Sequence, residues 1–266
     1  MKDIKVILVG CGKMGSAMLG GWLMQGVSRE NVIIIDPVIK GSALDGVTIL
    51  TDFEYIPEHF TPDVVVLAVK PQSFENVVPQ YAVFKNSAVF ISIAAGKTAS
   101  DIDGLLGEGA SVVRAMPNLP ATISKGVTAS FCNEKVFAEQ REIAQNILSA
   151  IGKNTFIKDE SKMDAVTAIS GSGPAYLFYF AEAMIEAAKE VGLCDKMAKT
   201  LVEETILGSA QMLSESEKDA NELRVLVTSK GGTTQAALDV LMADDGIKPV
   251  VLAAVKAAKV RSIELS

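Results

Sequence analysis

Apolar positions in the first half of the chain fall into short β-branched runs, separated by stretches with helical periodicity. The runs at 4–9, 32–36, 47–50, 64–69, 88–93 and 111–115 are largely apolar at successive positions. Strands covered by helices on both faces read that way. Helical periods fill 14–26, 72–84 and 98–106, the last opening with Thr98-x-x-Asp101, a capping-box-like start. Two further strands are predicted at 126–131 and 155–158, around a helix at 134–151. The alternation predicts an α/β fold with an N-terminal Rossmann-like, doubly wound parallel sheet.

After Lys158 the strand pattern stops, and the remaining residues read as helices rich in Ala, Met and Leu. This shift places a boundary between a dinucleotide-binding domain at 1–158 and an all-helical domain at 159–266. The longest helix, 174–192, carries a polar stripe of Glu182, Glu186 and Lys189 on an otherwise apolar cylinder. Such helices must bury their faces against something, either a second copy of the chain or one another in a monomeric bundle. Association of two copies is the more economical arrangement. No internal repeat or low-complexity tract is present.

Composition narrows the partners. With 49% hydrophobic and 21% charged residues in 266, the chain has the apolar surface for two modest cores and is not a disordered polymer. No apolar run approaches the roughly 18–20 residues that span a bilayer, and no signal-peptide pattern opens the sequence, so no membrane partner is expected and the cytosol is the default location. The net charge is −7 with Lys and Arg scattered, which removes the footprint of a nucleic-acid binder and leaves small molecules as the expected ligands. Cys11, Cys132 and Cys194 lack metal-ligand spacing, so no metal site is expected. The single histidine, His59, lies in a proline-bracketed loop, and the chemistry is expected to run without it.

Gly10-Cys11-Gly12-Lys13-Met14-Gly15 matches G-x-G-x-x-G between the first strand and the first helix, with Asp36 coming 21 residues after Gly15 at the end of the second strand. Gly10 permits a tight turn, Gly12 lets a pyrophosphate approach the backbone, and Gly15 lets helix and strand pack closely. The helix N-terminus then offers free N–H groups and a positive dipole end to the phosphates. A plain strand-to-helix turn is the alternative. Asp36 suits a ribose 2′-hydroxyl and repels a 2′-phosphate, which favours NADH, although Lys13 or Lys40 stands near enough in sequence to meet a phosphate.

Four more segments stand out. Ala68-Val69-Lys70-Pro71 ends the fourth strand, Met116-Pro117-Asn118 comes after the sixth, and Ser170-Gly171-Ser172-Gly173-Pro174 precedes the long helix. The fourth, Ser229-Lys230-Gly231-Gly232-Thr233-Thr234, opens a later helix. Lys70 is either a nicotinamide-side residue or a solvated strand end. Asn118 is either a cofactor ligand beside the shelf of Met116 and Pro117 or a cap for the next turn. The Ser170–Pro174 stretch is either a close approach to the reacting centre or a break before a sound helix N-terminus. Ser229 to Thr234 offers an anion nest suited to a carboxylate, or an ordinary capped helix start.

With the Gly-x-Gly-x-Met-Gly start, these segments resemble pyrroline-5-carboxylate reductase over nearly the whole chain, with two departures, Lys230 where that family usually has proline and Ala237 where it often has glycine. The resemblance implies reduction of L-1-pyrroline-5-carboxylate, an anionic cyclic imine, to L-proline with NADPH or NADH. It further implies cofactor contacts from Gly10, Gly12, Lys13, Met14, Gly15, Asp36, Ala68, Val69, Lys70, Pro71, Met116, Pro117 and Asn118. Substrate contacts are implied for Ser229, Lys230, Gly231, Gly232, Thr233 and Thr234, with Thr234 hydrogen bonding the imine nitrogen. A homodimer whose partner supplies the substrate loop, and a larger ring of dimers, are also implied. A 3-hydroxy-acid dehydrogenase or a non-enzymatic dinucleotide sensor remains the alternative; 170–182 lacks the lysine the former would show.

Overall fold

In the computed structural model, which describes residues 2–39 and 46–265, eight strands form one sheet. They are β1 (Val6–Val9), β2 (Val32–Ile35), β3 (Thr48–Leu50), β4 (Val64–Leu67), β5 (Val89–Ser92), β6 (Ser111–Met116), β7 (Gly126–Cys132) and β8 (Gly152–Phe156). The order is β3-β2-β1-β4-β5-β6-β7-β8, parallel throughout except where β7 runs antiparallel to β6. The chain winds outward from β1 in one direction and then, from β4, in the other. The expected topological switch point therefore lies between β1 and β4.

Alternate side chains of the same strands feed two cores, one on each face of the sheet. Leu8, Ile34, Val66 and Ile91 pack with Met18, Leu19 and Trp22 of α1 (Lys13–Met24). Ile7, Ile33, Val65 and Phe90 pack on the other face with Phe74, Tyr81 and Ile102. Burial on both faces explains why the strands carry uninterrupted apolar runs. Gly21 lets α1 lie against the turn that ends α4 (Ala138–Ser149), because a Cβ there would sit 2.5 Å from the Ala150 carbonyl oxygen, and Trp22 Nε1 donates to Ile147 O at 2.9 Å.

Two elements differ from the sequence expectation for identifiable reasons. The helix expected at 72–84 is one α-turn, α2 (Phe74–Val77), between 3-10 turns at Pro71–Ser73 and Val78–Phe84. Pro79 has no N–H to give an i−4 carbonyl, so the chain tightens into i−3 bonding. The final strand starts at Gly152 rather than 155, since β8 is an edge strand whose polar Asn154 is satisfied by Ser130 Oγ at 2.7 Å and Gln145 Oε1 at 2.9 Å. The capping box at Thr98 and Asp101 is present and opens α3 (Ala99–Leu105).

Beyond β8 come α5 (Met163–Val166), a π-helical turn at Thr167–Gly171, α6 (Gly173–Glu190), α7 (Asp195–Glu215), α8 (Ala220–Leu226), α9 (Thr233–Leu241) and α10 (Ile247–Glu264). The chain divides into two compact units, Met1–Ser172 with Ala258–Ser266, and Gly173–Ala257. Among the described residues, the buried apolar side chains of the second unit are Ala198 and Val202, whereas Leu177, Phe178 and Tyr179 of α6 are 47%, 58% and 72% exposed. A unit with so little interior of its own has apolar faces to bury elsewhere. No helix among the described residues is long and apolar enough to cross a membrane.

Candidate active site

The glycine-rich turn is built as its spacing requires. Gly10 has φ +85°, donates its N–H to Ile35 O at 2.8 Å, and would drive a Cβ to 2.8 Å from Ala68 O. The loops after β1 and β4 therefore touch, helped by the Ala68 N–H bonding Val9 O at 2.8 Å. A Cβ on Gly15 would lie 2.5 Å from Gly10 O, so this glycine sets the helix-to-strand approach. Gly12 differs: it is exposed, a Cβ there would meet nothing within 4 Å, and it caps α1 with no side-chain bond to the helix N-terminus. Two glycines shape the turn and the third leaves its outer side open, which fits a pyrophosphate lying against the helix start. Lys13 is exposed beside it and Met14 is half-buried.

Asp36 has a role that spacing alone did not show. Its Oδ2 accepts the Cys11 N–H at 2.8 Å, and its Oδ1 accepts Val38 N–H at 2.8 Å and Ile39 N–H at 3.2 Å. The carboxylate thus ties the end of β2 to the phosphate loop and caps its own turn. A carboxylate has about four acceptor positions, so one remains for a ribose hydroxyl. Lys40, the other cation considered for a 2′-phosphate, lies outside the described residues.

Cys11 is buried, and its Sγ lies 3.4 Å from Ser16 Oγ, which also donates to Cys11 O at 3.0 Å. Burial raises the thiol pKa; the Ser16 contact works against this, and the Asp36 charge adds to it. At neutral pH the group is a thiol that fills the loop rather than a nucleophile. Among the described residues no cluster of His, Cys, Asp and Glu could hold a metal ion, and His59 is an exposed turn residue.

Register places the next segments on the same edge of the sheet. Val9 pairs with Leu67, Leu67 with Ser92, and Ser92 with Arg114, so residues just after this row emerge at the carboxyl ends of the strands. Ala68 and Val69 are half-buried there, Lys70 is exposed, and Pro71 opens a 3-10 turn. Met116 is half-buried, Pro117 buried and Asn118 half-buried. Asn118 Oδ1 accepts the Val127 N–H at 2.9 Å, which joins the β6 end to β7 and leaves the Nδ2 donors for a ligand. Asn118 stands at the N-cap of the next turn, but the alternative reading of its side chain as a cap is not realised, since it makes no bond to that turn.

One contact behind this edge gave no sequence signal. Arg114, whose side chain is 8% exposed, pairs with Glu160 Oε1 at 3.1 Å, and the same oxygen accepts the Ala99 N–H at the start of α3 at 2.8 Å. Gly171, in the π-turn, faces the end of the Met116 side chain.

In the second unit, Thr228 to Thr234 leads from α8 into α9. Gly231 has φ +72°, Gly232 is the N-cap of α9 with its N–H on Ser229 O at 3.0 Å, and no side chain caps that helix. Ser229, Lys230, Gly231 and Thr233 are exposed, and Gly232 and Thr234 half-buried. With the Gly232 N–H taken by Ser229 O, the turn presents the N–H groups of Gly231 and Thr233 and several hydroxyls without an acidic residue in the first turn of α9, an arrangement suited to an anion.

Comparison with known proteins finds similarity along the whole chain. A family described as pyrroline-5-carboxylate reductase dimerisation matches 160–265, and one described as NADP oxidoreductase, coenzyme F420-dependent, matches 5–96. The chain is 39% identical to pyrroline-5-carboxylate reductase of Pseudomonas aeruginosa, covering 100% of this chain and 98% of that one. It is 37% identical to the enzyme of Methanosarcina acetivorans, covering 100% and 99%. The solved structure of a pyrroline-5-carboxylate reductase from Coxiella burnetii superposes with a TM-score of 0.91 at 34% identity, covering 99% and 98%. That of Plasmodium falciparum pyrroline carboxylate reductase with NADP bound superposes with a TM-score of 0.86 at 31% identity, covering 100% and 99%.

Proposed function

Because the chain belongs to the pyrroline-5-carboxylate reductase family, we propose that it reduces the C=N bond of L-1-pyrroline-5-carboxylate to give L-proline, the last step of proline biosynthesis. The observation that carries this reading is the open Gly12 face at the helix start, set at the β1/β4 switch point of a chain similar to these reductases along its whole length. Bound NADPH or NADH supplies the hydride, delivered from nicotinamide C4 to the ring C=N carbon.

The protein's part is orientation and electrostatics. Gly10, Gly12, Lys13, Met14 and Gly15 hold the pyrophosphate, and the remaining acceptor position of Asp36 takes an adenosine ribose hydroxyl. Ala68, Val69, Lys70 and Pro71, with Met116, Pro117 and Asn118 on the same sheet edge, would hold the nicotinamide half. From β1 to β6 is three strand spacings, ~14 Å, a reach suited to the nicotinamide riboside half of a dinucleotide. With Oδ1 engaged by Val127, Asn118 acts as a donor, so its ligand is a ribose or carboxamide oxygen.

The substrate carboxylate docks on the N–H groups of Gly231 and Thr233, with Ser229 and Lys230 at its side, while Gly232, whose own N–H is taken by Ser229 O, shapes the turn between them. Thr234 Oγ1 hydrogen bonds the ring nitrogen. A hydroxyl serves both ends of the reaction, accepting from the N–H of the protonated imine and donating to the nitrogen lone pair that hydride addition creates. No histidine is needed, because a protonated imine is already electrophilic.

The helical region 159–266 associates with a second copy, in keeping with its match to a dimerisation family and with the exposed faces of α6. In the proposed assembly the partner supplies the substrate loop, dimers build a larger ring, and the enzyme works in the cytosol. The test is proline-dependent reduction of NAD+ and NADP+ at alkaline pH, followed with each in turn. Turnover with one or both is the expected result; dinucleotide binding without turnover on proline or on the imine would defeat the reading.

A further inference from the structure

The turn at Thr167–Gly171 is π-helical, closed by the Ser172 N–H bonding Thr167 O at 2.9 Å, five residues back. Two hydroxyls bond back into the same stretch, Thr167 Oγ1 donating to Met163 O at 2.9 Å and Ser170 Oγ to Val166 O at 3.0 Å, a pattern that favours a local departure from α-helical geometry. Such single π-turns cost hydrogen-bond geometry and persist where a displaced residue is useful. Here the residue is Gly171. A Cβ on it would fall 2.9 Å from Met116 Cε and 3.6 Å from Thr167 Cγ2, so among the described residues the only close clash is with the tip of one flexible side chain. Met116 ends β6 at the carboxyl edge of the sheet, the edge that also carries the Gly10–Gly15 turn and Ala68–Pro71.

We propose that Gly171 is a positioning residue for the reductase: the π-turn presents a bare Cα to Met116, and the room this leaves fixes where the Met116 thioether lies against the nicotinamide. The inference rests on the proposed reductase function, in which Met116 borders the nicotinamide. Its physical content is that methionine, with three rotatable bonds, does not hold one shape unless its neighbours confine it. The Gly171 backbone, lying against the Met116 methyl end, supplies that confinement. A methyl on Gly171 leaves the turn intact, because the atom it meets can swing away, but the thioether then swings toward the ligand.

The test is a double-mutant cycle on the full-length protein with Gly171→Ala, Met116→Val and both together. Valine removes the Sδ and Cε atoms that the new methyl would meet while suiting a strand end. Gly171→Ala is expected to keep its melting temperature and to lose on the order of tenfold to a hundredfold in kcat, the scale of a misplaced reacting group. In the Met116→Val background the same alanine is expected to cost little, so the two changes couple. NADPH fluorescence titration supplies a second readout independent of the substrate: Gly171→Ala is expected to weaken binding and alter nicotinamide emission, and Met116→Val to abolish that effect of Gly171→Ala. Equal losses from Gly171→Ala in both backgrounds, or no loss in either readout, would overturn the proposal. Absence of imine turnover in the unmodified protein would instead sink the functional reading, leaving the fluorescence cycle to decide the role of Gly171.

Discussion

The Asp36 carboxylate accepts the Cys11 N–H at 2.8 Å, so the acid expected to select the ribose also holds the phosphate loop in place. Asp36→Ser therefore has two consequences. Removing the charge raises the NADPH to NADH ratio of kcat/KM, because a 2′-phosphate is no longer repelled. Removing the acceptor from the Cys11, Val38 and Ile39 N–H groups destabilises the fold by about 1–3 kcal/mol, read as a lower Tm. An unchanged cofactor ratio with a lowered Tm would mean that Asp36 is a structural latch alone.

Glu160 links three elements through one oxygen, taking Arg114 from β6 and the Ala99 N–H from α3. Arg114 is nearly buried, so losing its partner leaves a charge with little water. Glu160→Ala is expected to cost roughly 3 kcal/mol, the lower end for buried pairs because the Glu160 side chain is 23% exposed. Replacing both residues, as Arg114→Met with Glu160→Leu, is expected to recover much of that stability in urea unfolding. A double variant no more stable than Glu160→Ala would count against this account.

Asp101 is held below the ordinary carboxylate range, chiefly by the Thr98 hydroxyl at 2.7 Å, with the Thr98 N–H and the Lys97 and Arg114 charges adding and burial opposing. A depressed folded pKa contributes stability that is fully present above the unfolded value, about 3.9, and is lost as pH falls through the folded one. Thr98→Val is expected to move the Asp101 titration, followed by carboxyl NMR, back toward its usual position and to flatten that part of the acid unfolding profile.

Local spacing made the strands of the sheet, the capping box and the glycine turn legible in the sequence: runs of β-branched residues, Thr98 three before Asp101, Gly10-x-Gly12-x-x-Gly15. Asp36 was legible as a ligand for the ribose but not as the acceptor for Cys11, since that bond joins residues 25 apart through tertiary geometry. The same holds for Glu160, whose partners are 46 and 61 residues away. The π-turn was invisible for another reason: Thr167 to Gly171 has no composition that separates i−5 from i−4 bonding. At 72–84 the signal was present in Pro79, and helical periodicity outweighed it.

The substrate loop yields the most divisible prediction. Thr234→Ala keeps the N-cap at Gly232 and the backbone N–H groups of α9, and removes only the hydroxyl proposed to bond the ring nitrogen. Charge on that nitrogen changes during hydride transfer, so the loss belongs mainly in kcat. One charge-assisted bond is worth roughly 1.5–3 kcal/mol, which corresponds to on the order of tenfold to a hundredfold. Gly232→Val acts differently. Its Cβ would lie 2.5 Å from Ser229 Oγ and 3.2 Å from Ser229 O, so the side chain both displaces Ser229 and fills the approach to the backbone, and KM for the imine is expected to rise. Lys230 is exposed beside the anion nest and adds attraction that falls with ionic strength, so Lys230→Pro is expected to raise KM and to reduce its salt dependence. Steady-state kinetics at saturating cofactor, with dinucleotide affinity and oligomeric state checked for each variant, separate the three. Wild-type kcat and KM in Thr234→Ala would remove the residue from the reaction, whatever the other two variants do.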